Sequence, residues 1–155
     1  MKRIRLFATD VDGSLTDGKM YIGQCGELFK VFDIKDGGGI AKAGQRGIVT
    51  CILTAKTSEI VKHRAAQLHV DEVHQGVENK LTCLKSLMEK YGVTADETAY
   101  FGDDGNDIDC IRYCGVSGCP RNASPEVREA STFVASKDGG DGAAREFIDW
   151  FLDAE

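Results

Sequence analysis

The chain has 155 residues, of which 42% are apolar and 28% charged, and a formal net charge of -6. That length accommodates one domain (residues 1–155) with a real core and not two, and the composition is that of a soluble globular protein. The negative balance argues against a nucleic-acid partner, no apolar run approaches the ~20 residues of a membrane span, and MKRIRLFATD lacks the apolar stretch of a secretion signal, so the expected location is the cytoplasm.

Ile4–Thr9 is an apolar run that predicts the first strand, and it runs straight into DVDGSLTDG, residues 10 to 18. Three aspartates in nine positions at the end of a buried strand repel one another and are costly to desolvate, so a positive partner is expected there. Lys19–Asp33 reads as two short strands around Gly23-Gln24-Cys25-Gly26, a β-hairpin projecting from the sheet. Gly37-Gly38-Gly39 lacks a preceding strand and the GxGxxG spacing, and reads as a flexible turn before a helix. Further strands are predicted at Ile48–Leu53, Thr98–Phe101 and Thr132–Ala135, with weaker ones near Val73 and Val116. Ser58–Leu68, Asn79–Tyr91 and Gly142–Leu152 each place their apolar residues on one helical face. Strand and helix alternate, which argues for an α/β fold with a central parallel sheet flanked by helices.

In such a sheet ligands bind beyond the carboxyl ends of the strands. The first strand ends at Asp10 and Asp12, the second at Thr54, and Thr98–Phe101 in GDDGND with Asp103, Asp104 and Asp107; Lys80 opens the helix after His74-Gln75-Gly76. Acids from two strand ends suit Mg²⁺, a hard cation that takes oxygen ligands and a phosphate oxygen. Thr54 and Lys80 complement a phosphate as hydrogen-bond donor and point charge. A carboxylate can attack phosphorus to form an aspartyl phosphate, and an acid two residues on can protonate the leaving oxygen and then deprotonate water. Gly13 lets the backbone approach the phosphoryl group.

Blander readings are weaker. A calcium loop starting at Asp10 would want glutamate where Tyr21 stands and glycine where Leu15 stands. GDDGND alone would be a turn, Thr54 alone a helix cap, and Lys80 alone a solvated charge; their force is in co-occurrence. His63, His69 and His74 have no ligand spacing, and the six cysteines form no CxxC pair, so reduced structural thiols are expected.

In chain order, Asp10-x-Asp12-Gly13, Thr54, Lys80 and Gly102-Asp103-Asp104-x-x-Asp107 resemble the haloacid dehalogenase (HAD) superfamily phosphatases over nearly the whole chain. The narrower likeness is to capless members acting on phosphorylated 2-keto-3-deoxy sugar acids. It is carried by Asp10–Gly18, the hairpin, Asp36-Gly37-x-Gly39-Ile40, Gln75-Gly76 and Gly139-Gly140-x-Gly142-Ala143 with Arg145-Glu146. The resemblance implies a Rossmann-like fold without a cap domain, since residues 55–79 and 11–53 leave no room for one. It implies Asp10 as nucleophile and Asp12 as general acid/base. Mg²⁺ would be held by the Asp10 carboxylate, the Asp12 backbone carbonyl and Asp103, with Asp104 and Asp107 behind them or capping the helix, and a direct role for either left open. Thr54 and Lys80 would grip the phosphoryl group, with Gly13, Ala55 and Lys56 also at the substrate. It further implies a homotetramer in which hairpins assemble and a neighbour's C-terminal tail covers the site, mapped onto Lys19–Asp33 and Gly139–Arg145. 3-Deoxy-D-manno-octulosonate 8-phosphate is the expected substrate. Ala55-Lys56 in place of the common Gly-Arg, and Asp141 in place of a basic residue, keep nine-carbon sialic-acid-type 9-phosphates as the alternative. A receiver domain would carry its phosphorylated aspartate where this chain has Thr54, and a non-catalytic scaffold would not need the complete set of acids.

Overall fold

The computed structural model describes residues 2–154. Six parallel strands form the main sheet: β1 (Leu6–Thr9), β4 (Val49–Leu53), β5 (Glu72–His74), β6 (Thr98–Phe101), β7 (Val116–Cys119) and β8 (Phe133–Val134). Their order is β5-β4-β1-β6-β7-β8, so the chain builds outward on one side of β1 and then crosses to the other. The carboxyl end of β1 therefore lies at the topological switch point, where an open sheet offers a crevice. The predicted hairpin is present as β2 (Tyr21–Gly23) and β3 (Gly26–Phe29), a separate antiparallel pair.

Period-two alternation explains the two cores. On one face, Phe7 and Phe101 pack against Phe147, Ile148 and Phe151 of α6 (Ala143–Asp153) and Ile40 of α1 (Ile34–Gln45). Ile52, on that same face by register, meets Val61 and Ala65 of α2 (Glu59–Gln67). On the other face Leu6, Ala8 and Tyr100 meet Leu84, Leu87 and Met88 of α3 (Lys80–Tyr91), Cys110 and Ile111 of α4 (Ile108–Tyr113) and Val127 of α5 (Pro125–Ala130). Each large side chain so buried contributes roughly 1.5–3 kcal/mol. No helix among the described residues is long and apolar enough to cross a membrane.

The expectation of a turn at residues 37–39 is corrected: all three glycines lie inside α1. Glycine costs roughly 1 kcal/mol against alanine in a helix, and tertiary contact overrides that cost here. A Cβ on Gly37 would lie 2.4 Å from Arg64 Nη2, and one on Gly39 3.0 Å from Arg145 Cδ and 3.2 Å from Ile148 Cδ1. Small residues let α1 lie close against α2 and α6. Asp33 caps α1, accepting from Lys35 N at 2.7 Å and Asp36 N at 3.1 Å.

Asp36 then caps a second helix. Its carboxylate accepts from Arg145 N at 2.9 Å and Gly142 N at 3.4 Å, supplying the side-chain cap that α6 lacks at Gly142. Burial pushes the Asp36 carboxyl up from 3.8 to about 6, against the pull of the Arg145 N–H. Between those values the native chain keeps a proton that the unfolded chain has lost, so this group's contribution declines as pH rises from about 4 to about 6. The stability of Asp36→Asn relative to wild type is expected to improve by up to about 3 kcal/mol across that window. Urea denaturation at stepped pH checks it, and a difference that does not change with pH would refute it.

Candidate active site

Asp10 follows β1 and is anchored by its own N–H, which donates to Phe101 O at 3.0 Å. Its buried carboxylate receives Lys80 Nζ on Oδ1 at 2.7 Å, and Ser14 Oγ approaches Oδ2 at 3.4 Å. Lys80 is the first residue of α3, where the helix dipole disfavours a cation, and it is only 3% exposed. Two acids hold it there, Asp10 and Asp107, the latter at 2.8 Å. Asp107 is fully buried and also accepts from Tyr100 Oη at 2.6 Å and Asp103 N at 3.0 Å. Asp103 accepts from Ser14 Oγ at 3.0 Å.

Gly13 makes that approach possible. Its φ is +90°, and a Cβ there would stand 2.1 Å from Asp103 Oδ2. Glycine at this position thus admits the Asp103 carboxylate, a role beyond the access for phosphate read from the sequence. Thr16 Oγ1 closes the same loop, accepting from Gly13 N at 3.1 Å and Gly18 N at 3.2 Å.

Asp10, Asp103 and Asp107 offer carboxylate oxygens within 4.8 Å of one another. Burial raises the Asp10 carboxyl, the Asp107 charge adds to it, and Lys80 opposes both. Burial and then the Asp10 charge push Asp103 up to about 8. Three carboxylates facing one ammonium leave two negative charges when ionised, the complement of a divalent cation. All-oxygen donors and this unmet charge fit a hard ion such as Mg²⁺. Sequence reasoning placed Asp107 behind the metal ligands; the structure puts it in the acid cluster while it also anchors Lys80. Asp104 caps the turn that follows β6, accepting from Gly105 N at 2.8 Å.

A cavity of about 270 Å³ opens over this cluster, lined by Asp10, Asp12, Gly18, Thr54, Lys56 and Asp103, with Ala55, Asp104 and Asn106 at its edge. Of the residues expected from sequence, Asp10, Asp12, Thr54, Ala55, Lys56, Asp103 and Asp104 line this cavity, while Lys80 reaches the site through Asp10, Gly13 lies against Asp103 and Asp107 sits in the acid cluster beneath. Ser14, Tyr100 and Lys30 were missed. Nothing in the sequence ties Lys30 to Asp12, yet its Nζ donates to Asp12 Oδ1 at 2.6 Å. Gly139–Arg145, mapped by the resemblance onto a neighbour's site, are engaged within their own chain. Gly139 N donates to Asn122 Oδ1 at 3.0 Å, and a Cβ on Gly139 would meet Gly13 O at 1.9 Å.

Residues 51–147 match the family model of haloacid dehalogenase-like hydrolases. The chain belongs to the haloacid dehalogenase-like hydrolases. This hydrolase is 37% identical over 155 residues, all of its length and 86% of the relative's, to 3-deoxy-D-manno-octulosonate 8-phosphate phosphatase KdsC of Haemophilus influenzae. Among solved structures it matches a probable YrbI-family phosphatase from Pseudomonas syringae with a TM-score of 0.96 and 38% identity, covering 99% of this chain and 87% of that one. It also matches 3-deoxy-D-manno-octulosonate 8-phosphate phosphatase from Moraxella catarrhalis, solved with magnesium, phosphate and KDO, with a TM-score of 0.94 and 37% identity over 98% and 87% of the two chains. The Rossmann-like sheet without an inserted cap is the fold these neighbours share with the hydrolase.

If the acid cluster holds a divalent ion, Mg²⁺ at about a hundredfold excess over its Kd raises the melting temperature of the hydrolase by about 5–10 °C. Asp103→Asn is expected to lose most of that rise while melting normally without metal. Differential scanning calorimetry with and without MgCl₂ measures both.

Proposed function

We propose that this hydrolase is a Mg²⁺-dependent phosphatase that cleaves the phosphate monoester of a 2-keto-3-deoxy sugar acid, 3-deoxy-D-manno-octulosonate 8-phosphate ahead of others. The observation that carries it is the buried Asp10 carboxylate, held on one oxygen by Lys80 at 2.7 Å and lining a cavity with Asp12, Thr54 and Asp103. The phosphatase activity for which the relatives are named, one of them solved with magnesium, phosphate and KDO, supports the substrate class.

Asp10 attacks phosphorus, forming an aspartyl phosphate as the ester P–O bond breaks, and Asp12 gives its proton to the departing alkoxide. Asp12 then takes a proton from water, whose oxygen attacks the phosphorus, releasing phosphate and restoring Asp10. Lys80 keeps Asp10 ionised and aimed. Thr54, Gly13, Ala55 and Lys56 border the phosphoryl group. The Asp10 and Asp103 carboxylates and the Asp12 carbonyl would hold Mg²⁺, with Asp107 beside them and Asp104 supporting the turn. The ion supplies charge neutralisation at the phosphoryl oxygens.

Asp10→Asn is expected to abolish phosphate release and leave the circular-dichroism melt close to wild type; retained turnover would move the nucleophile elsewhere. Lys56 and Asp141 favour weighing a nine-carbon 9-phosphate as the second reading. The kcat/KM ratio for octulosonate 8-phosphate over nonulosonate 9-phosphates decides, with the eight-carbon ester expected to win by at least about tenfold.

Met20, Ile22, Leu28, Phe29 and Val31 are exposed on and beside the hairpin. So many exposed apolar side chains on one short segment suit an interface, and they support the homotetramer. Leu28→Glu is expected to shift the sedimentation coefficient toward the monomer; an unchanged coefficient would remove the hairpin from the interface.

A further inference from the structure

The hairpin is latched to the site through one lysine. Lys30 follows β3, and only 6% of its side chain is exposed. Its ammonium lies 2.6 Å from Asp12 Oδ1 and 3.0 Å from Glu27 Oε2. Glu27 Oε1 in turn accepts from Ser58 Oγ at 2.7 Å. Ser58 is the capping residue of α2, yet its hydroxyl makes no cap bond to its own helix. Four side chains thus join the hairpin, the start of α2 and the loop that carries Asp12. Sinking an ammonium between two acids carries a desolvation cost that exposed ion pairs avoid. A hairpin needing only to be covered would place an apolar residue at position 30.

The location of the latch gives it a purpose. Asp12 lines the cavity over Asp10, and Lys30 and Glu27 line a second cavity of about 510 Å³. Lys56 borders both, and Asp12 of the first lies 2.6 Å from Lys30 of the second, so the two cavities adjoin at this pair. An ester whose phosphoryl group sits at Asp10 has room for its leaving group on that side, beside the Asp12–Lys30 pair.

We propose that Lys30 is a positioning residue for Asp12: it fixes the carboxylate by one oxygen, leaving the other to exchange the proton with the leaving oxygen, and it makes that aim depend on the seating of the hairpin. The inference rests on the phosphatase reading above. Asp12 gives its proton to the alkoxide as the P–O bond breaks and recovers one from water at hydrolysis, while Lys30 remains an ammonium throughout. An alkoxide is a poor leaving group and needs that proton; p-nitrophenolate departs without it. Loss of aim therefore shows in the first half-reaction, which kcat/KM reports, with alkyl esters and is silent there with the aryl ester, whereas loss of general integrity affects both; the water step that Asp12 also serves is common to the two substrates and slows kcat on both.

The test compares wild type, Lys30→Met, Lys30→Arg and Glu27→Gln, each loaded with Mg²⁺, on octulosonate 8-phosphate and on p-nitrophenyl phosphate. For Lys30→Met, kcat/KM on the sugar ester is expected to fall about a hundredfold, the low end of a general acid's contribution, with kcat falling as well. Its kcat/KM on the aryl ester should stay within about threefold. Lys30→Arg recovers most of the loss, and Glu27→Gln shows a smaller loss with the same selectivity. A raised KM with unchanged kcat would make Lys30 a substrate contact and overturn the proposal; so would equal losses of kcat/KM on both esters, or none. If Lys30→Met does not fold, Glu27→Gln decides by the same selectivity. A wild type inactive on both esters would instead overturn the phosphatase reading itself.

Discussion

The site depends on a single ammonium held between acids. Lys80 Nζ bridges Asp10 and Asp107, and Asp103 lies in the same cluster. Two carboxylates within 4.8 Å repel by on the order of 3 kcal/mol at an effective dielectric of about 20. One lysine cannot neutralise three acids. The polypeptide tolerates the imbalance through raised proton affinities at Asp10 and Asp103, and a divalent cation would remove it. The cost is concentrated at the switch point of the sheet, where β1, β4 and β6 end together. Tyr100 and the N–H groups of Asp103 and Asp104 share the task by donating to Asp107.

Much of this was legible in the sequence because strands buried on both faces and amphipathic helices leave strong patterns. Thr98–Phe101 matches the strand residue for residue, and Asn79, the N-terminal boundary read for its helix, is its capping residue. The acids were legible because four weak signals fell at strand ends in one topology. What stayed hidden was tertiary. Gly37, Gly38 and Gly39 look like a turn because intrinsic propensity favours one, and only the neighbouring Arg64, Arg145 and Ile148 show why the helix needs glycine at 37 and 39. Lys30 looks like one more charge at the end of an exposed strand until its partner 18 residues earlier is in place. Asp107 reads as a cap, which it is in part, and its contact with Lys80 spans 27 residues.

The hairpin carries two kinds of side chain. Lys30 and Glu27 turn polar atoms toward Asp12 and Ser58, while Ile22, the cross-strand partner of Glu27, and Leu28 are left to solvent in the isolated chain. A two-stranded ribbon has little stability of its own, so the ionic latch and whatever covers these apolar residues together fix its place. Tyr21 stacked on Phe29, with centroids 4.6 Å apart, adds a local brace.

The order of strands carries a consequence for biosynthesis. β1 leaves the ribosome before the other five strands of its sheet, yet it is an interior strand of that sheet, between β4 and β6. It cannot be paired on both sides until Phe101 has emerged, and its Phe7 face is not roofed until α6 is made. Until then the nascent polypeptide displays a sticky apolar edge with no shelter of its own, and long-range pairing of this kind is slow and prone to aggregation. A cell making this protein quickly has reason to lend it a chaperone until α6 closes.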